Sequence, residues 1–507
     1  MNYACVLILN TRQTYGIRGK KLLYKAFSYI GNKTFLVPYQ VKYEFSKKQK
    51  DKYILLVQPT TDNDNATIME TIGEVEDIHA YCIYMYYATC NKNGIYDFAS
   101  LSIPSPTPPL AASINQLAFA AGYDDKLVFP TSFQGTPKFV FTGDAFTIDN
   151  QGTLYHDDAI SITKEPEYIT VHVYITHICN LLNDDTHWEI LKRRVCSVYL
   201  PHHRKDLLPK NILERGNLKK GETHSCIVVS FRKKVGESSS DIFLISDRIE
   251  DVYISKNYIY EEADLINDES YQLLKEMSPP SCQMSSRQII AYWSIQTNSY
   301  FAKKYRGDCP FIYTTVSGTP SSPLNGLQDK KDDGMHKYTY EPTEYIQISS
   351  PLRRYIDLYN QWVYIHRGEL PSPEKQPHIT DLNIHVGNIR KLENTTKLIA
   401  HFYQEWNTGQ QDKWSSSTLL RTGESVNDTG IEREGEVAFC EYNERKKKFN
   451  IAIYILRERF YAYAKTDTAL DVGRNVRCKF FVFEHAHHFR NQKLKCCIIL
   501  PSQTTAN

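Results

Sequence analysis

The sequence predicts an α+β protein, with a mixed α/β middle region flanked at each end by a small β-barrel. Three observations carry this. Residues 1–100 and 425–503 consist of short apolar runs, rich in β-branched and aromatic residues, separated by polar turns, as in small all-β modules. Between them, strand-like runs give way near residue 260 to helical spacing. A chain of 507 residues, 41% hydrophobic and 12% aromatic, is also too long for one ordinary core, so two to four domains are expected.

Taken in order, YACVLIL, KTFLVPYQVKYEF and KYILLVQ read as strands of a cold-shock or OB-like barrel within 1–100, and the charged segment ending in HAYCIYMYY reads as a helix. The Pro-rich SIPSPTPPL opens a linker over 101–134. The central domain, 135–410, begins with the strand-like runs KFVFTGDAFTID, YITVHVYITHI, RRVCSVYLP, HSCIVVSFRKK and DIFLISDRIEDVYIS. YIYEEADLINDESYQLLKEM and SSRQIIAYWSIQTNSYFAKKYRG then take helical spacing, VSGTPSSPLNGLQDKKDDGMHK reads as an exposed loop, and a further helical stretch covers about 350–408. The runs in 425–503 predict a second, OB-type barrel, with Gly473 at a turn.

Bulk chemistry narrows the function. The net charge is +2 with a pI near 7.9, so the whole surface is not a polyanion trap; a locally basic channel lining remains compatible with that balance. The twelve cysteines include no CxxC and no Cys/His set at zinc spacing, and Cys496–Cys497 is their one adjacent pair. The N-terminus lacks a basic n-region and a small-residue cleavage site, and no run approaches the roughly 20 apolar residues of a membrane span. A cytoplasmic, non-secreted protein with reduced thiols and no membrane partner is expected, a nuclear or organellar address being the alternative.

Two segments carry chemistry. In FTGDAFTIDNQGTLYHDDAISI, Asp149 closes a β run, and Asp157 and Asp158 follow a glycine-containing turn. Carboxylates gathered by one turn repel unless a cation sits among them, and oxygen ligands select Mg2+ or Mn2+. Such a turn is also what an ordinary solvated loop looks like. In EYIQISSPLRRYIDLYNQW, Arg353 and Arg354 follow a proline and precede a helix, where guanidinium forks match phosphate oxygens. A surface charge pair has the same local appearance.

Together, in this order and separation, the two segments resemble the RNase II-type (RNB) family. TIDNQGTLYHDDA is similar to the family's TIDxxxxxDxDDA turn, and SSPLRRYIDL to its TSPIRRYxDL signature. VHVYITHI, RRVCSVYLPHHRKDLLPKNI, YIYEEADLI and IIAYWSIQTNSYFAKKY resemble, in order, further segments of the same domain, and both flanks look like the family's barrels, the resemblance implying that the C-terminal one binds RNA.

The resemblance implies a 3′→5′ exoribonuclease that admits single-stranded RNA to a channel and releases nucleoside 5′-monophosphates with Mg2+, Mn2+ being an alternative. It implies Asp149, Asp157 and Asp158 as the metal set, with Asp157 tied most directly to the hydrolytic water. Arg353 and Arg354 would hold phosphates, Arg353 with a catalytic role, and Tyr199 would stack on terminal bases. The chain departs from the family at Tyr155, which occupies an acidic position. It departs also at Thr176 and His177 in place of Ala-Asp, at Gln361 in place of His, and at Thr314 in place of a frequent Arg; Asp144 is a candidate substitute carboxylate. Two readings stay open at this point: a metal-dependent nuclease with fewer ligands, and a catalytically impaired RNA-binding protein. Both are compatible with a monomer or with a subunit of a larger RNA-processing assembly fed by a helicase or adaptor.

Overall fold

The structure is a computed structural model describing residues 1–41, 49–57, 66–95, 145–182, 185–236, 243–280, 285–315, 337–367, 369–411, 430–444, 446–458, 460–482 and 494–499. The predicted linker at 101–134, Asp144 and the loop at 316–336 lie outside the described residues. The chain divides into two compact units, residues 100–196 with 206–379, and residues 1–99 with 197–205 and 380–507.

The first of these units is built on a closed barrel. Its strands are β7 (Ala145–Asp149), β8 (Asp158–Lys164), β9 (Tyr168–Thr176), β12 (Thr223–Lys234) and β13 (Phe243–Ile259), in the order β12-β13-β7-β8-β9. The β13–β7 pair is parallel and the others are antiparallel, and a separate hairpin of this unit pairs β14 (Tyr313–Thr315) with β15 (Lys337–Thr339). Ala145, Ala159, Tyr174, Leu218, Cys226, Val228, Val252 and Ile254 form one buried cluster of this barrel. Around it run α2 (Asp185–Arg194), α3 (Lys210–Gly216), α4 (Ala263–Ile266), α5 (Glu269–Met277), α6 (Ser286–Lys304) and α7 (Tyr355–Ile365). Capping chemistry places several of these helices. Asp268 accepts the Ser270 and Tyr271 N–H groups at the start of α5, and Ser285 accepts that of Gln288 at the start of α6.

The other unit holds two β-sheets. The N-terminal sheet comprises β1 (Asn2–Leu7), β2 (Ile17–Arg18), β3 (Lys21–Ser28), β4 (Lys33–Tyr39), β5 (Lys52–Val57) and β6 (Thr67–Glu74), ordered β2-β3-β1-β5-β6 with β4 on β3. It is followed by α1 (Ile78–Lys92), capped by Asp77. The C-terminal sheet has the order β18-β17-β16-β19-β20, from β16 (Ile431–Asn443), β17 (Lys448–Ile455), β18 (Phe460–Thr466), β19 (Asn475–Val482) and β20 (Leu494–Ile499). Leu398 and Phe402 of the long helix α8 (Ile379–Gln411) enter its core beside Val437, Ile451, Ile453 and Phe480. A short hairpin, β10 (Val198–Leu200) with β11 (His203–Lys205), belongs to this unit as well. Among the described residues no helix is long and apolar enough to cross a membrane.

Candidate active site

The acidic turn joins two neighbouring barrel strands, so Asp149 ends β7 and Asp158 begins β8. Gly152, at φ +80°, supplies the left-handed residue the turn requires. Buried Asn217 braces the turn from outside: its Oδ1 accepts the His156 N–H at 2.7 Å and its Nδ2 donates to Leu154 O at 3.0 Å. The Thr176 N–H donates to Asp157 O at 2.9 Å, tying the turn's last residues to β9.

The second motif lies at the start of α7. Ser350 N–H donates to Asp357 Oδ1 at 2.7 Å, and the Arg354 guanidinium bonds the same oxygen at 2.7 Å, so Asp357 closes the segment onto the helix's first turn. Leu352 N–H donates to Asp157 Oδ1 at 2.8 Å, and Arg353 Nε lies 3.1 Å from Asp157 Oδ2. The two motifs, 195 residues apart in sequence, therefore meet at one carboxylate.

Asp157 is 5% exposed, while the Arg353 side chain is 49% exposed. Burial pushes the Asp157 carboxyl up to about 6, against the opposing pull of Arg353 and the Leu352 N–H. Asp158 rises further, to about 7, through burial first and then the charges of Asp149 and Asp157. An apolar recess lined by Phe146, Ile148, Ile160, Val173, Ile290 and Trp293 flanks Asp158 and supplies the poorly solvating surroundings.

Three neighbours escaped sequence reading. His156 Nδ1 lies 2.6 Å from Asp149 Oδ2. Arg287 of α6 reaches Asn150 and sits 5.2 Å from the Tyr260 ring, and the Tyr260 N–H donates to Asp149 O at 2.9 Å. His156 had a visible signal, an imidazole inside an acidic turn; Tyr260 and Arg287 arrive only through folding. Tyr155 is half-buried within the turn, and Gln361, fully buried, donates its Nε2 to Thr176 O at 2.8 Å.

Tyr199 belongs to the other unit, on β10, where it is 39% exposed, with the Arg204 guanidinium 5.5 Å from its ring and its N–H donating to Glu393. Arg354 is committed to Asp357, and its Nε is a buried donor without a partner.

Residues 142–278 match the RNB domain. The chain carries an RNB domain over these residues. No curated protein matches it in sequence. Mycoplasma genitalium RNase R in complex with ribose-methylated single-stranded RNA shares its fold at a TM-score of 0.55 and 12% identity, over 99% of this chain and 89% of that one. The same enzyme with double-stranded RNA gives 0.52 and 11%, over 98% and 95%. Yeast Ssd1, a pseudonuclease, gives 0.54 and 12%, over 95% and 67%.

The expected metal set of Asp149, Asp157 and Asp158 does not bring its ligand atoms within 4.8 Å of one another, which leaves two carboxylates as candidate ligands for a hydrated divalent ion. Both Asp157 oxygens already have protein partners, and one Asp149 oxygen faces His156. Asp158 and the remaining Asp149 oxygen are left, and the charge of Asp149 is among the causes that raise the Asp158 pKa. Mg2+ is commonly held by one or two carboxylates, with water and substrate phosphate completing its shell. Among the described residues the one trio of metal-type side chains with ligand atoms within 4.8 Å of one another is His401, Glu405 and Glu458, in the other unit. There the Arg433 guanidinium bonds both glutamates and supplies the compensating charge.

Proposed function

We propose that this RNB protein is a 3′→5′ exoribonuclease that hydrolyses single-stranded RNA to nucleoside 5′-monophosphates. The observation that carries the reading is the buried Asp157 carboxylate, held by the Leu352 N–H and the half-exposed Arg353 guanidinium, with Asp149 and Asp158 in the same turn. That three of the four acidic positions and both arginines persist supports it, as does the fold shared with an RNase R solved with single-stranded RNA.

Asp149 and Asp158 would hold Mg2+ or Mn2+, which when bound supplies Lewis-acid polarisation of the scissile phosphate. Asp157, with a pKa near 6, is largely ionised at neutral pH and orients the attacking water, taking its proton at Oδ2. Arg353, hydrogen-bonded to Ser350 Oγ at 3.1 Å, is anchored to offset charge growing on the phosphate oxygens. Water oxygen bonds to phosphorus, the bond from phosphorus to the penultimate 3′-oxygen breaks, and that oxygen takes up a proton, equivalent to the one the attacking water gave to Asp157, and leaves as the hydroxyl of the shortened strand.

A specific observation favours a second reading, an RNA-binding RNB protein that does not hydrolyse. Tyr155 is a neutral phenol at an acidic position, and Asp149 and Asp157 are engaged by His156, Leu352 and Arg353, so fewer oxygens are left for a cation. Ssd1, called a pseudonuclease, shows that this fold occurs without nuclease activity. Pure protein incubated with a 5′-labelled oligoribonucleotide and Mg2+ or Mn2+ separates the two. A descending ladder, lost in Asp157→Asn, is the expected outcome; intact RNA that is nonetheless bound would establish the second reading. Helicase or adaptor partners, and a cytoplasmic site of action, complete the proposal for either reading.

A further inference from the structure

Where α8 packs on the C-terminal sheet, one imidazole, two carboxylates and a guanidinium come together. His401 and Glu405 are four residues apart on α8, so they share a face of the helix, one turn apart. Glu458 lies in the turn between β17 and β18, and Arg433 on β16. His401 Nε2 is 3.5 Å from Glu458 Oε1 and 3.8 Å from Glu405 Oε2, and the ligand atoms of the trio all fall within 4.8 Å of one another. Phe402, the next residue of α8, stacks on Phe480 with ring centres 4.3 Å apart and fixes this stretch of helix against the sheet.

The Arg433 guanidinium does not satisfy both carboxylates in full. Its Nε donates to Glu458 Oε1 at 2.5 Å, its Nη2 to Glu405 Oε2 and its Nη1 to Glu432 O at 2.9 Å. The Glu458 side chain is 3% exposed, and its Oε2 is buried without a hydrogen-bond partner. A buried acceptor with nothing to accept from is costly, and a buried carboxylate oxygen more so. This one belongs to the carboxyl group that faces His401, so an ion bonded to that imidazole supplies the partner it lacks.

We propose that His401, Glu405 and Glu458 form a binding site for a divalent transition-metal ion, Zn2+ by preference, which pins α8 to the turn between β17 and β18. An imidazole ligand disfavours Mg2+ and Ca2+, which take oxygen, whereas one nitrogen with two carboxylates suits Zn2+. Ligands about 2.0–2.2 Å from a tetrahedral ion stand roughly 3.3–3.5 Å apart, close to the separations His401 makes here. The exposed His401 ring leaves the remaining position to water. Arg433 bonds the ligating carboxylates from behind, orienting them and offsetting their charge before the ion arrives. The site shares no residue with the acidic turn and does not depend on whether the chain hydrolyses RNA.

Full-length protein, stripped with EDTA and desalted, is titrated with ZnCl2 by calorimetry in excess MgCl2, which fills oxygen-only sites, and is melted with and without Zn2+. Wild type should take up Zn2+ here and melt at a higher temperature when loaded, because an ion bound to the folded chain stabilises it. His401→Ala and Glu405→Gln, both at the solvent side of the site, should each weaken this uptake by roughly tenfold or more and abolish the melting shift, since loss of even an outer-shell partner costs roughly 10–100-fold in affinity. Metal-free melts establish that the variants fold, and if one does not, the other decides. No uptake by wild type would overturn the site. Uptake unchanged in the folded variants would place the ion elsewhere, on the cysteines or the acidic turn, and would overturn it as well. Uptake lost in the variants but with no melting shift in wild type would overturn the pinning of α8.

Discussion

The acidic turn and the His401 cluster set carboxylates beside cationic side chains to different ends. At the turn, charged groups find their partners inside the protein: Asp157 in Arg353 and the Leu352 N–H, Asp149 in a hydrogen bond with the His156 imidazole, Arg354 in Asp357. In the cluster, Arg433 bonds Glu405 and Glu458, and Glu458 Oε2 is left buried without a partner. A reacting centre requires groups fixed before substrate arrives, and internal pairing in poorly solvated surroundings fixes them. An ion site gains more from an oxygen left for its ligand, because the ion then supplies the bond that burial denies. The contrast predicts that changes at the turn alter rate and spare RNA affinity, whereas changes in the cluster alter Zn2+ uptake and stability.

The largest effect belongs to Asp157→Asn. The amide keeps the shape and loses the charge, so hydrolysis should fall on the order of 10³-fold or more while RNA affinity stays within about twofold. Single-turnover rates and anisotropy on the same preparation check this; an unimpaired rate would remove Asp157 from the chemistry. Arg353→Ala comes next, with a loss of roughly 10²-fold in rate. Arg353→Lys should recover little of it, because an ammonium does not reproduce the guanidinium's simultaneous reach to Asp157 and Ser350 Oγ. Full activity in the lysine variant would reduce the role of Arg353 to that of a point charge.

Tyr155→Asp reverses the direction. Restoring a carboxylate to the turn should lower the half-saturating Mg2+ concentration on the order of tenfold, if hydrolysis is present. A folded variant with neither tighter metal use nor a faster rate would indicate that the turn has moved away from catalytic geometry, favouring the non-hydrolysing reading.

These sites differed in how far sequence revealed them. The acidic turn and the Leu352-Arg353-Arg354 segment were legible as residue types at fixed spacing, and their family resemblance brought them to one site. What spacing could not supply is direction. Arg353 faces Asp157, whereas its neighbour Arg354 turns to Asp357, a difference set by the backbone entering α7. Gln361 read as a departure from the family; folded, it is a strut between α7 and β9 through Thr176 O, and Thr176 N–H in turn holds Asp157 O. The central strands and the helices after residue 260 followed from apolar periodicity, because a barrel and its covering helices bury alternating or 3.6-spaced residues. The His401 cluster left little such trace. His401 and Glu405 stand one turn apart on α8, but Arg433 and Glu458 come from β16 and the turn before β18, and only tertiary packing collects the four.

The smallest predicted effect tests the internal pairing by pH. His177 is 7% exposed, its Nε2 has no partner, and burial, then the charge of His366, pushes its pKa down to about 4. In the unfolded chain a histidine titrates near 6.5. Because the folded value is the lower, the unfolded state binds the proton more readily. The stability held by neutral His177 is therefore complete above about pH 6.5 and is lost as pH falls from there toward 4. His172, held by Ser230 Oγ at 2.8 Å, is pushed to about 4 as well, by burial first and then by Arg248 and Arg232, so wild type should lose stability across this window through both residues. His177→Gln removes one of the two while keeping a polar side chain, and should shallow the fall of the melting temperature between pH 6.5 and 4.5 without abolishing it. Thermal melts at half-unit pH intervals, above and through the window, provide the measurement. A curve parallel to the wild type's would mean that His177 is protonated in the folded protein at these pH values, and that the interior beside α7 tolerates a charge this packing has no partner to offset.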